Sequence, residues 1–313
     1  MAFPRLTRHT LLWPLCAAAC VLLLVAGCPS QQEQQHAPWT SSYRTILIGL
    51  VPEEGIFSNA ARYRQLVRYL SRRTGYDIRI TVFPHYQDVV ESFAAKKIDA
   101  AFFGSYTYVL AHERVQAQVI ARPQWRDGSS TYRGLLIVRR DSGIRSVEDM
   151  RGKRFVFVDR DTTAGYVLPL AYFRRHGVDY RSWFRETYFA GTHADAVLDV
   201  LNREADAGAV KNTVFERLAG EDPRVGTELI VLDQSPEMPE NGLVIRDDLD
   251  ASVRERLTEA LLTMQDDREG ALALISFGAR RFIRTTDDDY SAVRDYVRSA
   301  GIDLRTGRET AGK

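Results

Sequence analysis

Two adjacent hydroxyl residues, Thr162 and Thr163, stand where a short strand passes into a helix. The apolar run Phe155–Val158 predicts a buried strand, and apolar residues recur at helical spacing between Tyr166 and Phe173. A helix N-terminus leaves backbone N–H groups without partners and carries the positive end of the helix dipole, which together suit an anion. The alternative is that the two hydroxyls only cap the helix, since capping needs no ligand.

Further polar residues follow other predicted strands. Ser105 and Tyr106 come directly after the strand 98–103, and Lys211 ends a strand over 205–210. A cation at Lys211 would complement an oxyanion, whereas the alternative is an ordinary solvated lysine. Ser105 either contacts a ligand or begins the helix that follows it. Asn212 is expected to cap the helix that begins after Lys211.

Two ring side chains have similarly divided interpretations. Tyr86 begins a predicted helix, where it is either a half-buried packing residue or a hydrogen-bond donor to a ligand. His193 follows Gly191 and Thr192 and is either a helix-start residue or a ligand contact. Neither residue decides the function alone.

The elements that position these residues alternate between strand and helix. The first half reads as strand, helix, strand, helix, strand over 45–51, 59–73, 77–83, 86–95 and 98–103. This order predicts an α/β fold with a mainly parallel sheet. Ligands bind beyond the carboxyl ends of the strands in such sheets, which is where the polar residues lie.

The second half repeats the plan of the first. Lys97–Ala101 resembles Glu204–Gly208, and each segment follows a helix and forms a short strand. Pro169 is expected to kink its helix or to start a second one. Further strands are expected over 135–138, 228–232 and 241–246, and helices over 251–264, 269–277 and 288–299. We therefore expect two lobes, 43–137 with 245–313 and 138–244, separated by a cleft.

The first 42 residues have a different character. Arg5 and Arg8 precede an apolar run from Leu11 to Ala26, which is short for a membrane span and typical of a signal peptide. The run ends in Val25-Ala26-Gly27-Cys28, an arrangement that resembles a bacterial lipobox. We expect a signal peptide over 1–27 and lipidation of Cys28. We expect a flexible tether over 28–42, because this Gln- and Ser-rich segment has too little apolar surface to form a core. The alternative is an ordinary secretory signal.

Charge and motifs exclude several classes of function. The net charge of +1 argues against a general nucleic-acid binder. A hydrolase using Ser105 and His193 is disfavoured because no Gly-x-Ser-x-Gly motif is present. The histidines lack metal-ligand spacing, and Asp287–Asp289 reads as the acidic start of a helix. We expect neither an enzyme nor a bound metal or cofactor.

Several markers in the folded part together resemble those of lipid-anchored or periplasmic solute-binding proteins for phosphonate, phosphite and phosphate uptake. The markers are Tyr86, Asp99–Gly104, Asp161–Gly165, Gly191–His193 and Asp206–Val210. The similarity covers nearly the whole chain after the tether. It implies the type II periplasmic-binding-protein fold, with two α/β lobes joined by two hinge strands and closing over an oxyanion.

The resemblance also implies roles for particular residues. The turn Thr162–Ala164 would grip the anion with hydroxyl and backbone N–H groups. Phe103 stands where phosphonate binders commonly have a tyrosine, and Thr213 and Asn241 stand where carboxylates hold the amine of aminophosphonates. We therefore expect a small oxyanion without an amine. The expected ligand contacts are Tyr86, Phe103, Ser105, Tyr106, Tyr132, Thr162, Thr163, Ala164, His193, Lys211 and Asn241.

The function implied by the resemblance is that of a monomeric substrate-binding lipoprotein in the cell envelope, which hands its ligand to the permease of an ABC transporter. The alternative is a ligand sensor of the same fold that signals to a membrane histidine kinase or cyclase. The sequence of this chain does not separate the two.

Overall fold

The computed structural model describes residues 44–53 and 56–310, so the predicted signal peptide, Cys28 and the tether lie outside the described residues. The segment Tyr43–Lys313 forms one compact unit. Within its described part, no helix is both long and apolar enough to cross a membrane.

The described part contains short strands that alternate with helices. The strands are β1 (Thr45–Leu50), β2 (Asp77–Val82), β3 (Ala100–Phe103), β4 (Gln118–Trp125), β5 (Thr131–Tyr132), β6 (Gly134–Arg139), β7 (Arg154–Phe157), β8 (Glu186–Phe189), β9 (Ala207–Lys211), β10 (Leu229–Gln234), β11 (Met238–Pro239), β12 (Gly242–Ile245), β13 (Ala279–Arg284), β14 (Ile302–Asp303) and β15 (Arg308–Glu309). The α-helices are α1 (Ile56–Thr74), α2 (Tyr86–Ala94), α3 (Ser105–Val115), α4 (Leu168–Arg175), α5 (Tyr180–Trp183), α6 (His193–Leu201), α7 (Asn212–Glu221), α8 (Pro223–Glu228), α9 (Ala251–Leu262), α10 (Arg268–Phe277) and α11 (Ser291–Ser299).

A six-stranded sheet combines four strands from the first part of the chain with β12 and β13 from its later part, in the order β13-β4-β12-β3-β1-β2. β1 pairs in parallel with β2 and β3, whereas β12 runs antiparallel to β3 and β4. An aromatic cluster packs on one face of this sheet, where the Phe102 ring lies 5.0 Å from that of Tyr63 on α1. Phe103, the next residue, faces the opposite way and packs against Phe93 of α2. The sheet is therefore buried on both faces, as its continuous apolar strands predict.

A five-stranded sheet carries the middle of the chain, in the order β10-β6-β9-β7-β8. β7 pairs in parallel with β8 and β9, and β6 runs antiparallel to β9 and β10. The Phe155 ring of β7 lies 5.2 Å from Phe173 of α4 and 5.0 Å from Phe184. These two sheets and their helices confirm the predicted α/β class.

The two sheets share one plan, and the internal resemblance in the sequence marks it. Asp99 immediately precedes β3, and its carboxylate accepts the backbone N–H of Leu47 in the neighbouring strand at 3.0 Å. Asp206 immediately precedes β9 and likewise accepts the N–H of Arg154 at 2.8 Å. Each aspartate therefore ties a central strand to its parallel neighbour, so these two markers serve the fold. β6 lies in the second sheet and β12 in the first; the division into two lobes stays a prediction.

Some sequence predictions need correction. The sequence does not predict the strands β4, β8 and β13. β4 contains Pro123, and the edge strand β13 carries Arg280 and Arg281, so neither has the continuous apolar pattern of a buried strand. The helix expected from residue 288 begins at Ser291, after a 3₁₀ turn over Asp287–Tyr290 with a capping box. Pro169 does start a second helix, since it lies in the first turn of α4.

Candidate functional site

The chain segments that follow β1, β3 and β7 meet the end of β9 at a cavity of about 20 Å³. Most of the expected ligand contacts line it. Its lining residues are Val51, Glu53, Tyr86, Gly104, Thr107, Tyr132, Thr162, Thr163, Ala164, His193, Lys211 and Asn241. A cavity this small suits a compact ligand better than one with a large organic substituent.

The turn after β7 forms one wall of this cavity. Residues Thr163–Val167 make a π-helical turn that runs directly into α4. Gly165 permits this turn to lie against the strand end, because a Cβ there would approach Val158 Cβ to 2.4 Å. The first residues of the turn, including Ala164, have backbone N–H groups without intrahelical acceptors, which is the arrangement expected for an anion.

Neither hydroxyl caps this helix, so the capping alternative for Thr162 and Thr163 is wrong. Thr162 Oγ1 donates to the carbonyl of Asp159 at 2.6 Å. Thr163 Oγ1 accepts the backbone N–H of Tyr106 at 2.8 Å and thereby caps α3, a helix that follows the other sheet. Thr107 Oγ1 donates back to the carbonyl of Asp161 at 2.9 Å, so the turn and the start of α3 hold each other.

His193 begins α6 and is buried beside the cavity. Its Nδ1 lies 3.1 Å from the backbone nitrogen of Lys211 and accepts that N–H, so in the neutral ring the proton is on Nε2. Burial, aided by the Lys211 charge, outweighs the opposing effect of Glu53 and lowers the pKa of His193 to about 4. The ring is therefore neutral at pH 7 and offers Nε2–H as a donor.

Tyr86 begins α2 and also lines the cavity. Its side chain is 3 % exposed, and its hydroxyl has no hydrogen-bond partner among the described residues. Burial raises the pKa of Tyr86 well above its usual value, with the carboxylates of Glu53 and Asp159 adding to the effect, so the phenol stays protonated. A buried hydroxyl without a partner is costly, and a ligand acceptor would satisfy it.

Tyr132 and Ser105 form a supporting pair. Ser105 Oγ donates its proton to the carbonyl of Pro239 at 2.6 Å, so its contact with Tyr132 Oη at 3.0 Å must be one in which the tyrosine donates. The Tyr132 proton is therefore already used. Ser105 does not line the cavity, and it serves to position Tyr132.

Lys211 forms the centre of a buried ion cluster. Its Nζ donates to Glu53 Oε1 at 2.8 Å, to Asn241 Oδ1 at 3.3 Å and to Glu240 Oε1. The Tyr132 ring lies 4.7 Å from Nζ on a further side. These three acceptors use all three N–H groups of the ammonium, so Lys211 neutralises carboxylates and has no further N–H for a ligand.

The charges in this cluster support one another. Burial raises the pKa of Glu53, but the charge and the hydrogen bond of Lys211 outweigh it and lower the pKa to about 2. Burial likewise lowers the pKa of Lys211, and Glu240 and Glu53 outweigh that effect and raise it. Glu240 also accepts from the Asn241 backbone at 2.9 Å and the Trp125 indole at 3.1 Å.

Two expected contacts lie elsewhere. Phe103 is fully buried against Phe93, with ring centroids 5.3 Å apart. The Tyr106 side chain is fully buried and does not line the cavity, and the backbone N–H of this residue donates to Thr163. Asn212 does not cap α7 as expected, because its Oδ1 accepts the backbone N–H of Arg133 at 2.8 Å.

Sequence reasoning did not assign Glu53 and Glu240 to the site. Glu53 follows β1, so its position at the carboxyl end of a parallel strand was the available signal. Glu240 precedes Asn241 in the chain between β11 and β12, and nothing in its neighbourhood distinguishes it from a surface acid. Among the described residues, no three His, Cys, Asp or Glu side chains are grouped to hold a metal ion.

A larger cavity of about 630 Å³ also borders the ion cluster. It shares Glu53, Lys211 and Asn241 with the small cavity. Its other lining residues include Trp125 and Thr213.

The sequence model described as "ABC transporter, phosphonate, periplasmic substrate-binding protein" matches residues 48–290. The chain belongs to this family. The family assignment confirms the resemblance found in the sequence and places this periplasmic binding protein with substrate-binding components of ABC transporters.

Curated relatives of this periplasmic binding protein include the phosphate-import protein PhnD of Mycolicibacterium smegmatis, with 29% identity over 210 residues, and the phosphonates-binding periplasmic protein of Escherichia coli K12, with 24% over 264 residues. The matches cover 64% and 83% of this chain and 65% and 75% of those relatives. A solved structure of PhnD1 from Prochlorococcus marinus in complex with methylphosphonate has a TM-score of 0.74 at 21% identity, covering 82% of this chain and 97% of that one. This likeness confirms the type II periplasmic-binding-protein fold.

Proposed function

We propose that this periplasmic binding protein captures a small oxyanion of the phosphate, phosphite or methylphosphonate type in the small cavity and delivers it to the permease of an ABC importer. The cavity of about 20 Å³ supports a compact ligand. The names of the relatives support a phosphorus oxyanion, since one is a phosphate-import protein and another a phosphonates-binding protein.

The observation that carries the proposal is the Tyr86 hydroxyl. It is buried, protonated and without a partner among the described residues, and it belongs to a residue that lines the cavity. An anion oxygen would accept from it. His193 Nε2–H and the N–H groups at the start of the turn Thr163–Val167 provide further neutral donors around the same space.

The test is titration calorimetry with phosphate, phosphite and methylphosphonate on the wild type, Tyr86→Phe and Tyr106→Phe. Tyr106 is a matched control, because its hydroxyl is also buried without a partner in the described part but does not line the cavity. A hydrogen bond to a charged group contributes roughly 1.5–3 kcal/mol, so we expect Tyr86→Phe to weaken binding about ten- to a hundredfold. We expect Tyr106→Phe to bind as the wild type does.

Two results would contradict the proposal. The first is a wild-type protein that binds none of the three anions. The second is an equal loss of affinity in both variants, which would indicate a general effect of removing buried hydroxyls and no specific contact at Tyr86.

We extend the proposal to the placement of the protein. The sequence Val25-Ala26-Gly27-Cys28 supports lipid anchoring through Cys28 at a membrane surface. Two sheets with equivalent strand plans support two lobes that close on the ligand, because segments following both sheets line the cavity. We propose that the protein acts as a monomer.

A further inference from the structure

The ion cluster of Lys211, Glu53 and Glu240 separates two cavities of very different size. Lys211, Glu53 and Asn241 line both the cavity of about 20 Å³ and the cavity of about 630 Å³. Lys211 is 3 % exposed although it contacts both spaces. The side chains of this cluster therefore form the wall between the two cavities.

The cluster also forms a binding site for an ammonium group, which the side chain of Lys211 occupies. Two carboxylates and an amide oxygen surround Lys211 Nζ, and the Tyr132 ring covers it at 4.7 Å. Acceptors and an aromatic face are the groups that recognise any primary ammonium ion. The same arrangement would hold the ammonium of a small molecule if the lysine were absent.

The lysine is strongly retained in this position. Removing one partner of a buried ion pair leaves an uncompensated charge, which is far more costly than the net value of the intact pair. Here Lys211 compensates two carboxylates, of which Glu240 has a side chain only 1% exposed. The ammonium group of a ligand would have to displace that of Lys211. A ligand with a long substituent would have to disrupt the contacts of Lys211 with Glu53 and Glu240.

We propose that Lys211 sets the ligand specificity of this protein: it occupies the cation position beside the anion cavity and closes the passage to the outer cavity. The wild type therefore accepts compact oxyanions and rejects those that carry an ammonium group or an extended chain. This inference rests on the proposed function, because it takes the small cavity as the oxyanion site.

The test replaces Lys211 with alanine and offers an isosteric pair of ligands, 2-aminoethylphosphonate and propylphosphonate, together with methylphosphonate as the compact reference. We expect the wild type to prefer methylphosphonate to both. We expect Lys211→Ala to bind 2-aminoethylphosphonate at least tenfold more tightly than propylphosphonate, since the ligand ammonium replaces the lost one. Lys211→Met, which keeps the volume and lacks the charge, should show no such gain.

Stability measurements keep the test decisive if the variant folds poorly. Methylammonium chloride should raise the melting temperature of Lys211→Ala above that given by equal potassium chloride, and it should leave the wild type unchanged. The variant Lys211→Ala with Glu240→Gln carries one buried carboxylate fewer and serves for the ligand titrations if the single variant does not fold. Lys96→Ala, at an exposed lysine paired with Asp248, controls for the loss of a positive charge.

The outcomes separate this inference from the proposed function. If the wild type binds no phosphorus oxyanion, the proposed function is wrong. If the wild type and the alanine variant both bind methylphosphonate but the variant does not distinguish the isosteric pair, the role of Lys211 is wrong and the proposed function stands. A wild type that prefers 2-aminoethylphosphonate would also overturn the role of Lys211.

Discussion

Replacing His193 with asparagine should change how the stability of the ligand-free protein depends on pH. His193 is 4 % exposed, and its Nδ1 accepts the backbone N–H of Lys211 at 3.1 Å. The Oδ1 atom of asparagine can accept the same N–H, so the variant keeps this hydrogen bond and loses only the titrating ring. Burial holds the pKa of His193 at about 4, below its ordinary value of 6.5.

The stability contributed by His193 decreases as the pH falls, because the unfolded chain takes up the proton more readily. The folded-state pKa is the lower one, so between pH 6.5 and 4 the unfolded chain is protonated first and the folded state loses relative stability. One pKa unit corresponds to about 1.4 kcal/mol, so the full effect is about 3 kcal/mol, of which about 2 kcal/mol falls between pH 7 and pH 5. Above pH 6.5 the contribution of His193 is complete.

Asp161 opposes this effect in the wild type. Burial, together with the charge of Asp159, raises the pKa of Asp161 to about 6. Its folded state therefore takes up the proton first, and stability increases as the pH falls through 6, by about 1 kcal/mol at pH 5. In the wild type the gain from Asp161 offsets about half of the loss from His193 between pH 7 and pH 5. We expect His193→Asn to gain about 1 kcal/mol between pH 7 and pH 5, and Asp161→Asn to lose about 2 kcal/mol.

The assay is urea denaturation of the three ligand-free proteins at pH 7 and pH 5, with the change in the free energy of unfolding compared between proteins. The comparison removes the contributions of groups that all three share. If His193→Asn has the same pH dependence as the wild type, then His193 titrates near its ordinary pKa and is not buried as a neutral donor. If only Asp161→Asn departs as expected, the interpretation of Asp161 stands and that of His193 does not.

Two further predictions concern the whole protein. Cys28→Ser should release the protein from bacterial membranes or leave the precursor unprocessed, and a mature, lipid-bearing form of this variant in membrane fractions would contradict the anchor. Saturating methylphosphonate should reduce the radius of gyration measured by small-angle X-ray scattering, because the ligand contacts segments from both sheets only in a closed form; an unchanged radius would count against a hinged binder.

The fold was largely predictable because its signals are local. Continuous apolar runs gave the buried strands β1 and β3, and the resemblance between 97–101 and 204–208 gave the shared plan of the two sheets. The edge strand β13 was not predictable in this way, because Arg280 and Arg281 point to solvent and leave few apolar residues in its pattern.

The candidate site was predictable in position and less so in chemistry. Strand ends and the turn after β7 located the cavity, since these depend on topology. The partners of Thr163 and Lys211 were not predictable, because they are distant in sequence. Thr163 accepts the backbone N–H of Tyr106, and Lys211 donates to the carboxylates of Glu53 and Glu240. Thr163→Ala is a poor probe of ligand binding, because it also removes the acceptor that caps α3.

The arrangement explains how a cavity beside two carboxylates can hold an anion. Lys211 compensates Glu53 and Glu240 within the wall, so their charge is opposed at short range. The groups that would face the proposed ligand, the Tyr86 hydroxyl and His193 Nε2–H, are neutral donors. Neutral donors bind an anion without bringing a further buried charge that must itself be compensated when the ligand leaves. The unoccupied site therefore holds no uncompensated charge, which suits the proposed release of the ligand to a permease.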